Sequence, residues 1–345
     1  DLLRERGQMS RAEITRDTGM SFPTAMKVVD AFLEKGLLVE LDETGPAAGA
    51  GRKGRLLRFE PGAYRAVGVE CEGRFARVGL ADMAGGVQAR ETIELGDFAR
   101  TRDLSPLAAA IRRMCAAANG APVLGVCIGF PANLDPDAAA IVSYAAMDIQ
   151  QPTSFAQVFP AFWREVELPV YLENDANLAC EGEAFLRRGA GGAANMLYLS
   201  IGSGCGGAVR LDGKLRRGAR CRAGEVGAML LQPALGAPGR SAARETLEDA
   251  VCLAALERRF GAALRDGAQP GEASAQAMRD YLCGPLSGAV YSLVMTLDVE
   301  LCVLAGIVPG ALGMQLCTQV SEALRAALPE RTPVRVEPSW SADAG

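Results

Sequence analysis

Two helix starts lie close together near the beginning of the chain, and the three residues between the helices leave little choice of fold. Ser10-Arg11-Ala12-Glu13 has the form of a capping box, a serine N-cap with a glutamate three positions on. The helix it opens is predicted to reach Thr18 and stop at Gly19, because glycine takes the left-handed conformation that ends helices. Ser21-Phe22-Pro23-Thr24 is a second start, in which Ser21 can cap and Pro23 lies in the first turn, where a missing N–H costs little. Apolar residues then recur at Ala25, Val28, Val29, Phe32 and Leu33 with helical spacing, as far as Gly36. Leu37–Leu41 has strand character, Asp42–Gly54 is a loop rich in Gly, Ala and Pro, and Arg55–Phe59 is the returning strand.

Two short helices joined by Gly19-Met20-Ser21 and followed by a two-stranded ribbon match a winged helix-turn-helix. In that arrangement the second helix enters the major groove of double-stranded DNA. Phe22, Thr24, Met26 and Lys27 are expected to be exposed there and to reach base edges, while Ser21 and the helix N-terminus can take a phosphate. From Thr44 to Phe59 the chain carries Arg52, Lys53, Arg55 and Arg58 and no acid. Four such charges can neutralise about four phosphates per subunit. The competing reading is a protein-interaction module with a solvated basic loop. Acids balance bases over residues 1–55, and the whole chain has a net charge of −5, so any DNA contact rests on local charge. The order of capped helix, tight turn, capped helix and wing favours DNA.

Glu60-Pro61-Gly62 is a turn signal and the expected end of this first domain, residues 1–60. Beyond it, Ala66–Val69, Ala76–Asp82 and Val87–Leu95 are predicted strands. Leu107–Ala118, Val123–Ile128, Phe155–Glu165, Val170–Leu172, Met196–Ile201, Leu247–Phe260, Ser274–Leu282, Pro285–Asp298 and Leu301–Leu304 continue the alternation of helix and strand. Such alternation argues for an α/β body.

The chain of 345 residues contains no histidine, which excludes Ser-His-Asp and Cys-His catalysis and zinc sites built on imidazole. Ten cysteines, none in a C-x-x-C pair, are expected to be buried thiols in a reducing compartment, without a metal. The uncharged stretches Met114–Leu134 and Leu301–Ser321 are long enough to span a bilayer, but Gly, Pro and polar residues break them. They are read as strand-turn pieces of a soluble core, and the protein as cytoplasmic with no membrane partner.

Three stretches of the body carry a family resemblance: Leu172-Glu173-Asn174-Asp175-Ala176-Asn177, Leu199-Ser200-Ile201-Gly202-Ser203-Gly204-Cys205-Gly206-Gly207, and Ala223-Gly224-Glu225-Val226-Gly227. With the N-terminal winged helix, they resemble the ROK family of sugar-responsive repressors and sugar kinases. The resemblance implies an α/β body of the actin and sugar-kinase (ribonuclease H-like) type in two lobes, 61–172 and 173–345, with the oligomerisation surface on the second. It implies a sugar effector bound by Asn174, Asp175, Glu225 and Glu248 (with Glu245 the alternative match to the last of these), and Asp175 as general base if the chain were a kinase. It makes Gly202, Ser203 and Gly204 the remnant of a phosphate loop, whose backbone N–H groups could approach an anion; a plain tight hairpin is the alternative.

The departures from the family pattern matter as much. The kinases open their body with D-I-G-G-T, where this chain has Glu70-Cys71-Glu72-Gly73-Arg74. A carboxylate brought toward phosphate opposes binding by several kcal/mol if desolvated, so ATP is not expected and kinase activity is argued against. The family's zinc-binding His is Ala228 here, and its C-x-C-G-x-x-G-C cluster has become Ala237–Arg244, without Cys or His. The resemblance therefore implies no zinc and no other cofactor. Met147 stands near the expected first-lobe Asn, so the effector pocket has drifted. The family's last helix is missing after Gly345 and the start at Asp1 looks clipped, so the chain is expected to be part of a longer product.

Taken together, these features predict a transcription regulator, a repressor, that binds a palindromic operator as a homodimer or homotetramer. The alternatives are an ATP-dependent carbohydrate kinase and a regulator gated by a protein partner. Replacing Arg52 and Lys53 by Ala is expected to weaken DNA binding and lower its salt slope. Unchanged binding in a titration across salt concentrations would leave the wing without a role.

Overall fold

Ser10 and Glu13 form the capping box their spacing predicts. The Ser10 hydroxyl accepts from the Glu13 N–H, the Glu13 carboxylate accepts from the Ser10 N–H at 2.7 Å, and Gly19 closes the helix Arg11–Thr18 at φ +66°. In the computed structural model the described residues are 2–44, 54–188, 193–231, 245–261, 264, 270–329 and 332–341. They divide into two compact units, Asp1–Glu173 and Asn174–Gly345.

The first unit begins with three helices, Leu2–Arg6, Arg11–Thr18 and Phe22–Glu34, and a sheet in which Arg55–Phe59 lies between Gln8–Ser10 and Leu38–Thr44. Met9, Ile14, Val29, Leu38 and Leu57 form its core. The first helix and first strand precede the predicted pair and give the wing a third strand. After the turn at Pro61–Ala63, a five-stranded sheet follows in the order Val170–Asn174, Val123–Phe130, Arg65–Glu72, Phe75–Asp82, Val87–Glu94. Arg65–Glu72 alternates buried and exposed residues, the period-two pattern of a strand with one covered face. The helix Ser105–Ala117 lies against this sheet, and Phe98, Phe130, Phe155, Phe159 and Phe162 fill the space beside it. The predicted helix 155–165 is two pieces, Phe155–Val158 and Pro160–Glu165. Pro160 forces Phe159 out of the helical region, to φ −126° and ψ 65°.

The second unit carries a sheet in the order Lys214–Arg216, Cys205–Leu211, Met196–Ile201, Leu301–Ala305, Arg335–Pro338. Its first three strands are antiparallel and its last two pairings parallel. Leu301–Ala305 is buried along its whole length, as a strand between parallel neighbours with both faces covered should be. The uncharged run after it is helical, Ile307–Ala327, with a kink where Gly313 leaves the helical region (φ +70°, ψ −168°), rather than the strand-turn pieces expected. The predicted helix 247–260 breaks at Cys252 into Leu247–Val251 and Leu253–Phe260, because the freed Leu253 N–H donates to the Gly202 carbonyl at 2.8 Å. The two helices expected on either side of Pro285 are one, Glu272–Leu297, in which burial of Leu282, Leu286, Ala289 and Val290 outweighs the missing N–H. No described helix is long and apolar enough to cross a membrane.

The last turn of the helix Asp175–Leu186 is locked by buried charge. Arg187 donates from Nε to Glu183 at 2.7 Å, from Nη1 to Glu337, and from Nη2 to the Pro338 carbonyl at 2.8 Å, and its guanidinium lies over the Trp340 ring. Glu183 accepts in turn from the Ser339 hydroxyl and the Trp340 N–H. Arg187 and Glu183 are both about 2% exposed. Arg187→Ala is therefore expected to cost about 3 kcal/mol, because it strands a buried carboxylate. Equilibrium urea unfolding would show this as a lower midpoint.

Candidate functional site

On the helix Phe22–Glu34, Ser21 is the N-cap. Its hydroxyl takes the Thr24 N–H at 3.4 Å and lies 2.8 Å from the Thr24 hydroxyl. Phe22, Thr24 and Lys27 are exposed as expected. Met26 is not. It is half-buried against the core, and its sulfur lies 3.5 Å from Arg11 Nη1, since its position on the helix turns it toward Arg11–Thr18. Val28 and Phe32, counted above as part of the helical apolar pattern, are instead 37% and 42% exposed, and Met20 in the turn is 43% exposed. Arg11 pairs with Asp30 and Glu40, both at 2.8 Å, and so ties the first helix of the motif to the second and to the wing. Those two carboxylates hold its pKa above the ordinary arginine value. Arg55 is exposed but pairs with Glu40 at 3.4 Å, so its charge is partly met within the protein. Arg52 and Lys53 lie outside the described residues.

The second unit gathers the family motifs into one place. Asn174 caps the helix Asp175–Leu186, accepting from the Asn177 N–H at 3.1 Å, while Asp175 accepts from the Ala176 N–H at 2.8 Å. Ala176 lies so close to the Gly-rich hairpin that a Cβ on Gly206 would come within 3.3 Å of it. On the other side, a Cβ on Gly227 would meet the Cys205 carbonyl at 2.2 Å, and one on Gly224 (φ +97°) the Gly207 carbonyl at 2.5 Å. These approaches explain why the loop carrying Glu225 has glycine on both sides of it. Glu248, on the helix capped by Thr246, accepts from the Cys205 N–H at 2.8 Å, and its Oε2 occupies the space a Gly204 side chain would need.

The Gly202-Ser203-Gly204 turn is thus a tight hairpin, closed by the Gly202 N–H donating to the Gly204 carbonyl at 2.9 Å, and a carboxylate already holds its outgoing N–H. That arrangement does not suit a phosphate, which would meet like charge. Burial, with smaller contributions from Glu248 and Cys252, pushes the Cys205 thiol up to about 12. Glu225 keeps a solvent-facing surface, yet desolvation raises its pKa above the ordinary glutamate value; Glu248 adds to the rise and Arg222 opposes it.

In the first unit, Gly73 (φ +56°) and Arg74 form the turn between Arg65–Glu72 and Phe75–Asp82. Arg77 donates to Glu70 and to Glu72, each at 2.9 Å. The Glu72 charge is therefore compensated, and its repulsion toward a phosphate is smaller than a bare carboxylate would give. Met147 is buried in the turn Ala145–Met147, at the edge of a shallow depression lined also by Arg102, Asp148 and Gln150. Position 228 offers zinc only a methyl group, and no described cluster of Cys, Asp and Glu could hold a metal ion. Residues 237–244 lie outside the described residues.

Residues 66–345 match the ROK family. The chain belongs to it. A glucokinase from Halalkalibacterium halodurans is 34% identical over 141 residues, 39% of this chain and 40% of that protein. A xylose repressor from Caldicellulosiruptor bescii is 27% identical over 223 residues, 64% of this chain and 54% of that protein. The matches thus span about half the length of these curated relatives, or less. The crystal structure of a ROK family transcriptional regulator, a homologue of the E. coli MLC protein, superposes with a TM-score of 0.75 at 17% identity, covering 97% of this chain and 89% of that one. The fold is accordingly the two-lobed α/β body of the actin and sugar-kinase type, preceded by a winged helix-turn-helix.

The raised pKa of Glu225 makes stability depend on pH. The folded state holds this proton more tightly than the unfolded one, so stability falls as pH rises from the unfolded toward the folded pKa. Glu225→Gln should therefore stabilise the protein at neutral pH, and the gain should vanish at about pH 3.5, below the ordinary glutamate value. Paired unfolding curves at the two pH values would check the sign.

Proposed function

We propose that this chain is a DNA-binding transcriptional repressor whose kinase-like body joins copies of the chain and senses a sugar or sugar derivative. The observation that carries the reading is the capped helix-turn-helix with its wing, placed directly before a ROK body. Ser21, Phe22, Thr24 and Lys27, with Arg52, Lys53 and Arg55 of the wing, form the surface for double-stranded operator DNA. A homodimer or homotetramer presents two such surfaces to a palindrome. Asn174, Asp175, Glu225 and Glu248 form the effector cradle. Carboxylates and an amide suit a polyhydroxylated ligand, since each sugar O–H can donate to a carboxylate oxygen. The likeness to a xylose repressor supports a sugar as effector. The protein works in the cytoplasm, where its operator is.

Kinase activity is the second reading, favoured by the likeness to a glucokinase. Three features oppose it: Glu72 at the edge of the first turn, Arg74 in place of threonine, and the Glu248 carboxylate on the Gly202–Gly204 turn. Phosphoryl transfer depends on neutralising phosphate charge; Glu72 adds a carboxylate that Arg77 offsets only in part, Glu248 takes up a donor, and Arg74 removes the hydroxyl that threonine would supply. Neither zinc nor ATP has a role in the proposed activity.

A mobility-shift assay on duplexes enriched from a random library, repeated with a panel of sugars and sugar phosphates, tests the proposal. A palindromic duplex is expected to bind with steep salt dependence, and one sugar class to release it. Sugar-dependent ATP turnover that disappears in Asp175→Asn would overturn the repressor reading in favour of the kinase.

A further inference from the structure

The second helix of the DNA-binding motif is poor in groups that read bases by hydrogen bonding. In the exposed part of its first two turns, Lys27 is the one cation. The Thr24 hydroxyl turns back to the Ser21 hydroxyl at 2.8 Å, and Pro23 has no N–H to offer. Arg11, the nearest guanidinium of the preceding helix, is held by Asp30 and Glu40. What this face presents instead is apolar: Phe22 at 57% exposure and Val28 at 37%, with Phe32 one turn beyond Val28. Exposed side chains of this size cost hydration free energy unless something covers them. In the major groove, thymine alone offers an apolar partner, its C5-methyl group.

We infer that Phe22 and Val28 determine operator specificity by packing on thymine methyl groups, so that the operator half-site is rich in thymine where this helix enters the groove. The inference rests on the DNA-binding reading proposed above and adds the chemistry of the bases read. Lys27 and the wing supply attraction to phosphate, which positions the helix without selecting sequence. Discrimination then falls to apolar contact.

The test uses the full chain and duplexes it enriches from a random library, each resynthesised with deoxyuridine in place of thymidine to remove the methyl groups alone. Binding is expected to weaken about fourfold per contacted methyl. The loss should shrink toward none in Phe22→Ala and Val28→Ala, while Val28→Thr, which keeps a methyl, should preserve it. Both positions are exposed, and thermal melting of each variant checks that it folds. Equal affinity for the two forms of duplex, with enrichment intact, would overturn the inference and leave the DNA-binding reading standing. A thymine-dependent loss that persists unchanged in both alanine variants would overturn the assignment to these side chains. If Val28→Asp changes the sedimentation of the free protein while the two duplexes bind equally, this face contacts a second copy and the inference falls. If no duplex is enriched, the DNA-binding reading fails, and the inference with it.

Discussion

Backbone lies directly on backbone at several glycines, and the candidate effector site depends on three of those approaches. A Cβ on Gly227 or Gly224 would run into the carbonyls of Cys205 and Gly207, and one on Gly306 (φ +92°) into that of Ile201, the last residue of the strand Met196–Ile201. No side chain fits in any of the three gaps. The hairpin Met196–Leu211, the loop bearing Glu225 and the start of the helix Ile307–Ala327 are therefore held within one atomic layer of each other. A cradle built on such contacts is rigid before a ligand arrives, because close-packed backbone has few alternative arrangements.

Charge decides what the cradle can hold under the proposed reading. Glu225 and Glu248 stand near enough for one to raise the other's pKa, and Asp175 begins the helix packed on the same hairpin. Hydroxyl donors relieve that concentration of acceptors, whereas an anion would aggravate it. In the first unit, by contrast, Arg77 offsets Glu70 and Glu72, so the carboxylates leading into the altered first turn are met by a cation of the same sheet.

Where local rules act alone, the sequence was legible. The capping box at Ser10, the stop at Gly19, the cap at Ser21 and the strand Arg55–Phe59 stand where residue chemistry places them. Helix continuity was not legible, because it is decided by tertiary context. Pro160 breaks a helix and Pro285 does not, although both lie among buried side chains. Cys252 interrupts a good helical pattern because Gly202, fifty residues earlier, needs a donor. At the candidate site, the motifs single out Asn174, Asp175, Glu225 and Glu248 as expectations, and could not show that Glu248 holds the Cys205 N–H. Periodicity also placed Val28 and Phe32 with the apolar face and left Met26 among the base readers, since a short helix at a domain surface has no sharp line between its faces. The structure reverses both assignments.

The buried charge lock around Arg187 has a mechanical consequence. The helix Asp175–Leu186 is about 18 Å long, with Asn174 and Asp175 at one end and the Glu183–Arg187–Glu337 cluster just beyond the other. A rod pinned at its far end can pivot but cannot slide. A displacement at Asn174 would therefore be taken up as a rotation of the helix about this cluster, and the strand Arg335–Pro338, which holds the pivot through Glu337, would stay in place.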